Sequence, residues 1–434
     1  MRFLHLADLH IGKTFGVFSL KKDQEYVFDQ VYAYIRQYKP DAVVIAGDVY
    51  DKAAPAADSV LVFDAFLTKL AGLGPAVLII SGNHDSPERL GFAGGILKEK
   101  NVYMYGVFDG AMRVVSLSDD FGEVRFHMLP FIRPANVRLF YGQGPSNVKN
   151  PFGPEPANVR HLFDPGSGPE APDDQSAHIE SYRDAVKAVI ESADIDASAR
   201  NVLIAHQFVA SGSADPELSD SERLNAGGID RVGAEECGMA ELFDYVALGH
   251  LHGPQRVGAE RVRYAGSPMK YSFSECYQKK CALLVDLLEK GDLTVTPLPL
   301  KPLHDMRRIR GPLAELLEAG RREAVSSGAT SAAADYLHVT LTDEDEIYDV
   351  SGKLSAVYEH VLQIVYDNAR TNAEPDADGV GAENVGSQSP ASLFAEFYVS
   401  QNGAELNDMQ RKSVACLLSA EADEAGSGGE GEAT

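Results

Sequence analysis

The sequence of 434 residues is too long for a single core of ordinary size, so its length predicts two or three domains. Its content of 44% hydrophobic and 24% charged residues is typical of a soluble globular protein, and no apolar run approaches the roughly 20 residues that span a bilayer. The formal net charge of −25 excludes a uniformly basic nucleic-acid-binding surface.

This negative charge is unevenly distributed. Residues 343–434 contain 19 acidic and 4 basic residues, so the last part of the chain carries the larger share of it. The first 342 residues can therefore still form a local path of positive charge, particularly once bound divalent cations offset the charge of ligand carboxylates. Five arginines are candidates for this path, although each taken singly is more simply a solvated surface charge: Arg133, Arg138, Arg256, Arg261 and Arg263.

The cysteines and the N-terminal residues predict a cytoplasmic protein. Cys237, Cys276, Cys281 and Cys416 form no CxxC pair, which favours thiols in a reducing compartment over a disulfide or a zinc cluster. The sequence runs from Met1 straight into the first candidate site residues, which leaves no room for a secretory signal.

The first 80 residues alternate between apolar runs and amphipathic stretches. The pattern predicts strands at 2–7, 42–46 and 76–80. Helices are predicted between them at 21–38 and 59–70. This alternation of strands and helices indicates that the chain begins as an α/β sheet with right-handed strand–helix–strand crossovers.

The middle of the chain continues with strands around one interruption. Residues 143–176 are dense in Gly, Pro and Asn and predict a long surface insertion. A helix is predicted at 179–192. Further strands are predicted at 112–117, 124–129, 201–205, 245–248, 262–265, 281–286 and 293–299.

The chain changes character after residue 300. A helix at 312–324, a strand at 336–341 and an amphipathic helix at 353–366 predict a small α+β domain without recognisable chemistry. The polar residues 371–390 predict a linker, and the acidic, Gly-rich residues 420–434 predict a disordered tail.

Two short amphipathic helices are predicted between the linker and the tail, at 392–400 and 406–418. They have apolar side chains to bury but no core of their own. They either pack back on the preceding domain or form a helix-in-groove site for a partner.

Metal-ligand side chains follow the predicted strands. The carboxyl ends of neighbouring parallel strands meet at one edge of a sheet, so these side chains are expected to form one site. Carboxylate, amide and imidazole groups without thiolate suit Mn, Fe(II), Zn or Mg. Taken alone, one such histidine is more simply a hydrogen-bonded buried residue, but the recurrence at strand ends favours a metal centre. The residues are Asp8, His10, Asp48, Asn83, His84, His206, His250 and His252.

Seven of these groups are enough for two metals if one carboxylate is shared, and two metals form a clamp for in-line attack at phosphorus. His84 would then be surplus as a ligand. It is placed either to protonate the leaving oxygen or to stabilise charge on the phosphate. Asp51 either orients His84 through its carboxylate or is simply a helix cap or turn residue.

Five motifs of the sequence resemble those of the calcineurin-like metallophosphoesterases in order and spacing. They are Asp8-x-His10, Gly47-Asp48-x-x-Asp51, Gly82-Asn83-His84-Asp85, His206 and Gly249-His250-x-His252. Within that superfamily the chain is similar to the Mre-type nuclease subunits of break-repair complexes. Further matches are Tyr264-Ala265-Gly266-Ser267-Pro268 and 336–344, so the resemblance runs over most of residues 1–345 and reappears at 393–418.

The resemblance implies a ligand set for two divalent metals, usually manganese. Asp8, His10, Asp48 and His252 would hold one metal, and Asp48, Asn83, His206 and His250 the other. Asp48 would bridge the two, and His84 would be the catalytic histidine.

The resemblance also implies an architecture: an α/β fold in which a calcineurin-like β-sandwich is flanked by helices and followed by a small α+β capping domain and C-terminal partner-binding helices. The expected domains are a nuclease domain at 1–298, a DNA-facing cap at 299–370, a linker at 371–390, helices that bind an ATPase partner at 391–419, and the tail at 420–434.

The implied activity is that of a hydrolase acting on ester bonds: an ATP-dependent 3′–5′ exonuclease on double-stranded DNA and an endonuclease on single strands and hairpins, in recombination, replication and repair. The expected assembly is a homodimer of this chain with two copies of the ATPase, without a membrane. The alternative is a metallophosphoesterase for a small phosphodiester or phosphomonoester that uses the same site.

Overall fold

The computed structural model describes residues 1–141, 179–212, 216–223, 231–325, 331–372, 390–402 and 405–415. The chain divides into two compact units, Met1–Met306 and Arg307–Thr434. The predicted insertion at 143–176, the tail and all but the ends of the predicted linker lie outside the described residues. Among the helices of the described residues, none is long and apolar enough to cross a membrane.

The strands follow in chain order. They are β1 (Arg2–Leu6), β2 (Thr14–Phe15), β3 (Phe18–Ser19), β4 (Ala42–Ala46), β5 (Ala76–Ile80), β6 (Val102–Tyr105), β7 (Arg113–Asp119), β8 (Gly122–Leu129), β9 (Arg200–His206), β10 (Val209–Ala210), β11 (Val232–Gly233), β12 (Tyr245–Gly249), β13 (Gln255–Val257), β14 (Ala259–Tyr264), β15 (Cys281–Leu287), β16 (Leu293–Pro299), β17 (Met306–Gly311), β18 (Tyr336–Leu341) and β19 (His360–Tyr366).

The helices vary from one turn to five. They are α1 (Lys21–Tyr38), α2 (Ala57–Gly72), α3 (Pro87–Leu90), α4 (Gly94–Leu97), α5 (Pro134–Tyr141), α6 (Tyr182–Ser192), α7 (Asp220–Arg223), α8 (Met239–Leu242), α9 (Leu313–Val325), α10 (Val350–Ser355), α11 (Ala369–Asn372) and α12 (Pro390–Asn402). Residues 408–415 are also helical.

Two six-stranded sheets form the first unit. Their strand orders are β16-β15-β1-β4-β5-β6 and β13-β14-β12-β9-β8-β7. In the first sheet, β1, β4, β5 and β6 run parallel. In the second, β8, β9, β12 and β14 run parallel. The central strands β4, β5, β9 and β12 are buried at every residue because both of their faces are covered.

The inner faces of the two sheets share one hydrophobic core. The ring of Phe3 on β1 contacts Phe126 on β8 and Tyr245 on β12, with ring centroids 5.4 and 5.6 Å apart. The outer face of the second sheet packs against α5, α6 and α8 in a second core, to which α6 contributes Val186 and Val189. The result is a β-sandwich with flanking helices, as predicted.

Helix α1 has the predicted bounds. Its buried side chains Val27, Phe28, Val31 and Ile35 recur at helical spacing and form one apolar stripe. The helix ends at Tyr38 and is capped by Lys39, which adopts the left-handed conformation before Pro40.

The second unit has a three-stranded sheet with the order β17-β18-β19. Residues Leu337, Val339 and Leu341 of β18 are buried in its own core with side chains of α9 and α10. The predicted α+β character is therefore confirmed.

The predicted helix at 353–366 is wrong. Helix α10 ends at Ser355, and His360–Tyr366 forms strand β19, which pairs in parallel with β18. The segment contains the β-branched residues Val361, Ile364 and Val365, which favour a strand once a neighbouring strand is present. Short apolar runs are ambiguous between helix and strand, and here the tertiary pairing decides.

Candidate metal centre

The strand ends of the two sheets meet at one place. Asp8 and His10 follow β1, Asp48 follows β4, and Asn83 and His84 follow β5. The second sheet brings His206 at the end of β9 and His250 and His252 just after β12. The structure therefore brings together all eight predicted strand-end residues.

Backbone hydrogen bonds hold the first two loops together. The amide of Asp8 donates to the carbonyl of Gly47 at 3.1 Å, and the amide of His10 donates to the carbonyl of Asp48 at 3.0 Å. Asp8, His10 and Asp48 have positive φ angles of 52°, 44° and 49°. Such angles are uncommon for residues other than glycine and cluster at functional sites.

Two glycines permit the close approach of the strand ends. A Cβ atom at Gly82 would collide with the carboxylate and the amide of Asp48. A Cβ atom at Gly249 would collide with the carbonyl of Ala46, across the two sheets. Because the clashing atoms belong to the backbone or to a candidate ligand, a larger residue would displace the site itself.

One group of donor atoms surrounds the Asn83 side chain. Its Oδ1 lies 3.0 Å from His206 Nε2 and 3.0 Å from His250 Nδ1. His206 Nε2 is also 3.3 Å from Asp48 Oδ2. The other ring nitrogen of His206 donates to the Ala46 carbonyl at 2.8 Å, which directs the Nε2 lone pair toward the group.

A second group lies on the other side of Asp48. His10 Nε2 and His252 Nε2 are 3.1 Å apart, and ligand atoms of Asp8, His10 and His252 all lie within 4.8 Å of one another. His10 Nε2 is 3.8 Å from Asp48 Oδ2, so Asp48 lies beside both groups.

The electrostatics of the site fit cations. Burial raises the pKa of Asp8, which is 0% exposed, to about 7, although the amide of His250 donates to it at 2.9 Å. Burial opposes ionisation of Asp48 most strongly, but the charge and hydrogen bond of His206 together with His10 and His84 outweigh it and lower the pKa of Asp48 below its usual range. Buried carboxylates and imidazoles that crowd their lone pairs together are a donor set suited to divalent metal ions.

His84 lies outside the Asn83 group, but one of its ring nitrogens is within 4.8 Å of ligand atoms of His10 and Asp48. Its amide donates to Asp48 Oδ1 at 2.8 Å, and its Nδ1 donates to the backbone carbonyl of Asp51 at 3.0 Å. The half-buried ring meets the His10 ring edge-on, with centroids 4.8 Å apart. Both rings line a small cleft of about 30 Å³, together with Lys13 and Glu222 among others.

Asp51 contacts His84 differently from the sequence interpretation. The backbone carbonyl of Asp51, not its carboxylate, accepts the hydrogen bond from His84 Nδ1. Its carboxylate forms an ion pair with Lys13 at 2.9 Å and lies 3.5 Å from His10 Nδ1. The backbone of the turn explains why the carboxylate lies near His10. The amide of Asp51 donates to the carbonyl of Ile11 and so aligns Asp51 with the loop that carries His10.

The sequence interpretation left several residues of the site without a role. Asp85 accepts hydrogen bonds from the amides of Val49, Tyr50 and Gly82, and its place directly after the ligand motif was the available signal. Glu222, Glu275 and Lys280 surround His252 and are buried, yet no sequence motif distinguishes them from surface charges.

Comparisons with known proteins agree with this geometry. Residues 1–254 match the family model of the calcineurin-like phosphoesterases, and residues 302–402 match that of the type 5 capsule protein repressor C-terminal domain. Because the first match covers more than half of the sequence, the chain belongs to the calcineurin-like phosphoesterase family. The family and the buried donor set make it a metal-dependent hydrolase acting on ester bonds.

Within that family the chain is similar to SbcD of the nuclease SbcCD from Staphylococcus epidermidis. The two are 27% identical over 426 residues, which cover 96% of this chain and 98% of the relative. The predicted fold class and the predicted resemblance are both confirmed.

Solved structures match more distantly. The phosphopantetheinyl hydrolase of Mycobacterium tuberculosis is 16% identical, with a TM-score of 0.31 and coverage of 61% of this chain and 89% of that one. A dimetal phosphatase from Danio rerio is 13% identical, with a TM-score of 0.38 and coverage of 69% and 96%.

Proposed function

We propose that this chain is the nuclease subunit of an SbcCD-like complex and cleaves DNA phosphodiesters at the strand-end site. The observation that carries the proposal is the convergence of seven candidate ligands and His84 at one buried edge, in a chain similar to SbcD over 96% of its length. The proposed activities are those of an ATP-dependent 3′–5′ exonuclease on double-stranded DNA and an endonuclease on single strands and hairpins.

The proposed ligand set divides at Asp48. Asp8, His10, Asp48 and His252 would hold one divalent ion, and Asp48, Asn83, His206 and His250 the other. Manganese is the proposed metal. When bound, the pair supplies Lewis acidity toward the phosphodiester and a nucleophile at neutral pH.

His84 is the proposed catalytic histidine. Its Nδ1–H donates to the Asp51 carbonyl, so the ring orientation is fixed without a metal and Nε2 is the nitrogen that would give a proton to the leaving oxygen. The amide of His84 donates to Asp48, which couples the position of the ring to the ligand that both ions would share.

A manganese-dependent assay on linear double-stranded DNA and on hairpins, with and without an SbcC-like ATPase, tests this function. We expect His84→Gln to reduce cleavage by roughly 100-fold or more while calorimetry still shows two bound Mn²⁺ per chain. His127→Gln, a buried change on β8 outside the site, is the matched control and should keep activity.

Two results would contradict the proposal. Hydrolysis of bis(p-nitrophenyl) phosphate without any DNA cleavage in the presence of the ATPase would establish the small-substrate alternative. Loss of bound Mn²⁺ in His84→Gln would show that His84 is a ligand.

We also propose partners for this function. The C-terminal helices at 391–419 would bind an SbcC-like ATPase, and α12 supports this because Phe394, Phe397 and Val399 are 41%, 60% and 41% exposed. Residues 299–370 would form a DNA-facing cap, and the match of the C-terminal family model begins nearby at residue 302.

The proposed complex contains two copies of each subunit. Phe92 and Ile96, four residues apart in the segment of α3 and α4, support a homodimer contact, because two neighbouring large apolar side chains are 80% and 73% exposed there. Light scattering of the full chain tests it, and a monomeric mass at micromolar concentration would contradict it.

A further inference from the structure

Buried charged side chains hold His252 at three of its polar groups. Its amide donates to Glu222 Oε1, and its carbonyl accepts a hydrogen bond from Lys280 Nζ at 2.8 Å. Its ring Nδ1 lies 3.3 Å from Glu275 Oε1. Glu275 and Lys280 come from the loop between β14 and β15 and Glu222 from α7, and all three side chains are only 0–5% exposed.

Glu275 and Lys280 hold each other in turn. Lys280 Nζ lies 2.6 Å from Glu275 Oε2 and also donates to Ser267 Oγ at 2.9 Å and to Gln278 Oε1 at 2.8 Å. Ser272 donates to Glu275 Oε1 at 2.9 Å. Burying an ion pair costs desolvation free energy that well-packed apolar residues would not, so a buried pair in contact with a site residue points to a role beyond stability.

We propose that Glu275, held by Lys280, is a positioning residue that fixes the tautomer and orientation of His252 for metal binding. An Nδ1–H that donates to a carboxylate places the lone pair on Nε2 and raises the basicity of the ring. Nε2 of His252 is the atom that lies 3.1 Å from His10 Nε2. The inference rests on the proposed function, because it assigns His252 to a metal ion.

The other candidate group lacks this arrangement at His206. There Nδ1 donates to the backbone carbonyl of Ala46 at 2.8 Å, and the carboxylate of Asp8, itself a candidate ligand, lies beyond hydrogen-bond distance at 3.9 Å. The two metal positions therefore differ in what supports their histidines. Loss of the Glu275 charge should weaken metal binding at the position formed by Asp8, His10 and His252 and leave metal binding at the other position unchanged.

Titration of the full-length protein with Mn²⁺, followed by calorimetry, tests the inference without measuring activity. We expect Glu275→Gln to weaken one of the two Mn²⁺ affinities by about 10- to 100-fold and to keep the other. The electron paramagnetic resonance spectrum should change at limiting Mn²⁺ from that of a coupled pair to that of a single ion.

The matched control is Asp244→Asn. Asp244 is also a buried carboxylate paired with a lysine, with Lys290 Nζ at 2.9 Å, but it precedes β12 at the end opposite His252. Loss of the Asp244 charge should lower the stability of the protein without changing either Mn²⁺ affinity. If Glu275→Gln does not fold, the double variant Glu275→Gln and Lys280→Gln removes both charges together and is tested in the same way.

The outcomes separate the two proposals. A wild-type chain that binds fewer than two Mn²⁺ overturns the proposed function. A wild type that binds two, together with a folded Glu275→Gln or double variant whose two affinities are unchanged, overturns the role of Glu275 alone.

Discussion

At the scale of single residues, the carboxylate of Asp85 holds together two loops of the metal centre. It accepts hydrogen bonds from the amides of Val49 and Tyr50 at 3.1 and 2.9 Å and from the amide of Gly82 at 2.9 Å. Burial and the nearby charge of Asp48 raise the pKa of Asp85 to about 6. Asp85 therefore positions the segments that carry Asp48 and Asn83.

We expect Asp85→Ala to lower the free energy of unfolding by roughly 3 kcal/mol or more, because three buried amides lose their acceptor at once. Mn²⁺ affinity should fall with it, since both loops would relax. Urea unfolding and Mn²⁺ calorimetry measure the two effects. Asp64→Ala, on the exposed side of α2, is the control and should change neither. An unchanged Mn²⁺ affinity in a folded Asp85→Ala variant would show that Asp85 does not position these two loops for metal binding.

The site could be predicted from the sequence as far as its residues directly follow apolar strands. Asp8, Asp48 and His206 are of this kind, because the end of a strand in a parallel sheet fixes where the next side chains lie. Glu275 and Lys280 could not be predicted in this way. They lie in a turn after β14, and their contact with His252 exists only once the second sheet has formed.

At the scale of elements, a polar cluster joins the two sheets at the ends remote from the metal centre. Arg200 at the start of β9 pairs with Asp119 at the end of β7, with 2.5 Å between Nη2 and Oδ1. Arg200 also donates to the carbonyls of Leu287 at the end of β15 and of Leu288 after it. The Met1 ammonium, which precedes β1, contacts Asp119 as well. Strands of both sheets thus meet at one ion pair, in which Arg200 is buried and Asp119 is partly buried.

Asp119 makes this cluster sensitive to acid. Burial opposes ionisation of its carboxyl, but hydrogen bonds from Arg200 and from the Met1 ammonium outweigh burial and hold its pKa below the usual range. A depressed pKa contributes stability that is complete above the unfolded-state pKa of about 3.9 and is lost as the pH falls through the folded-state value.

We expect Asp119→Asn to lower the free energy of unfolding by about 3 kcal/mol at pH 7, because the Arg200 charge stays buried without its partner. The difference from wild type should shrink as the pH falls below about 4. Urea unfolding between pH 3 and pH 7 measures both. Asp286→Asn removes a more exposed pair with Arg2 and should cost less than about 1 kcal/mol. A pH-independent difference for Asp119→Asn would contradict the linkage.

Elements were predictable where the apolar period extends over a whole element, as in α1 and β4. The segment His360–Tyr366 shows the limit. Its apolar residues fit a helical stripe, but in the structure they pair with β18, a partner that precedes them by more than 20 residues. Local periodicity contains no information about such a partner, and the β-branched residues were the remaining signal.

At the scale of the whole molecule, the candidate metal centre and the proposed partner contacts belong to different units. The metal centre lies within Met1–Met306, whereas the C-terminal helices lie within Arg307–Thr434. These helices contact one another, since Gln410 Nε2 donates to the Tyr398 hydroxyl at 3.0 Å. Met409 is nevertheless 79% exposed and Phe397 60%. Helices that leave large apolar side chains exposed are suited to a groove on a partner.

We therefore expect deletion of residues 391–434 to abolish binding of the proposed SbcC-like ATPase and to leave both Mn²⁺ affinities unchanged, because every candidate ligand precedes residue 253. Co-purification with the ATPase and Mn²⁺ calorimetry measure the two results. Deletion of residues 420–434 alone is the matched control, since it removes acidic residues and keeps both helices; it should preserve binding. Retained binding after the longer deletion would exclude the helices as the docking element, and lost binding after the shorter one would transfer that role to the acidic tail.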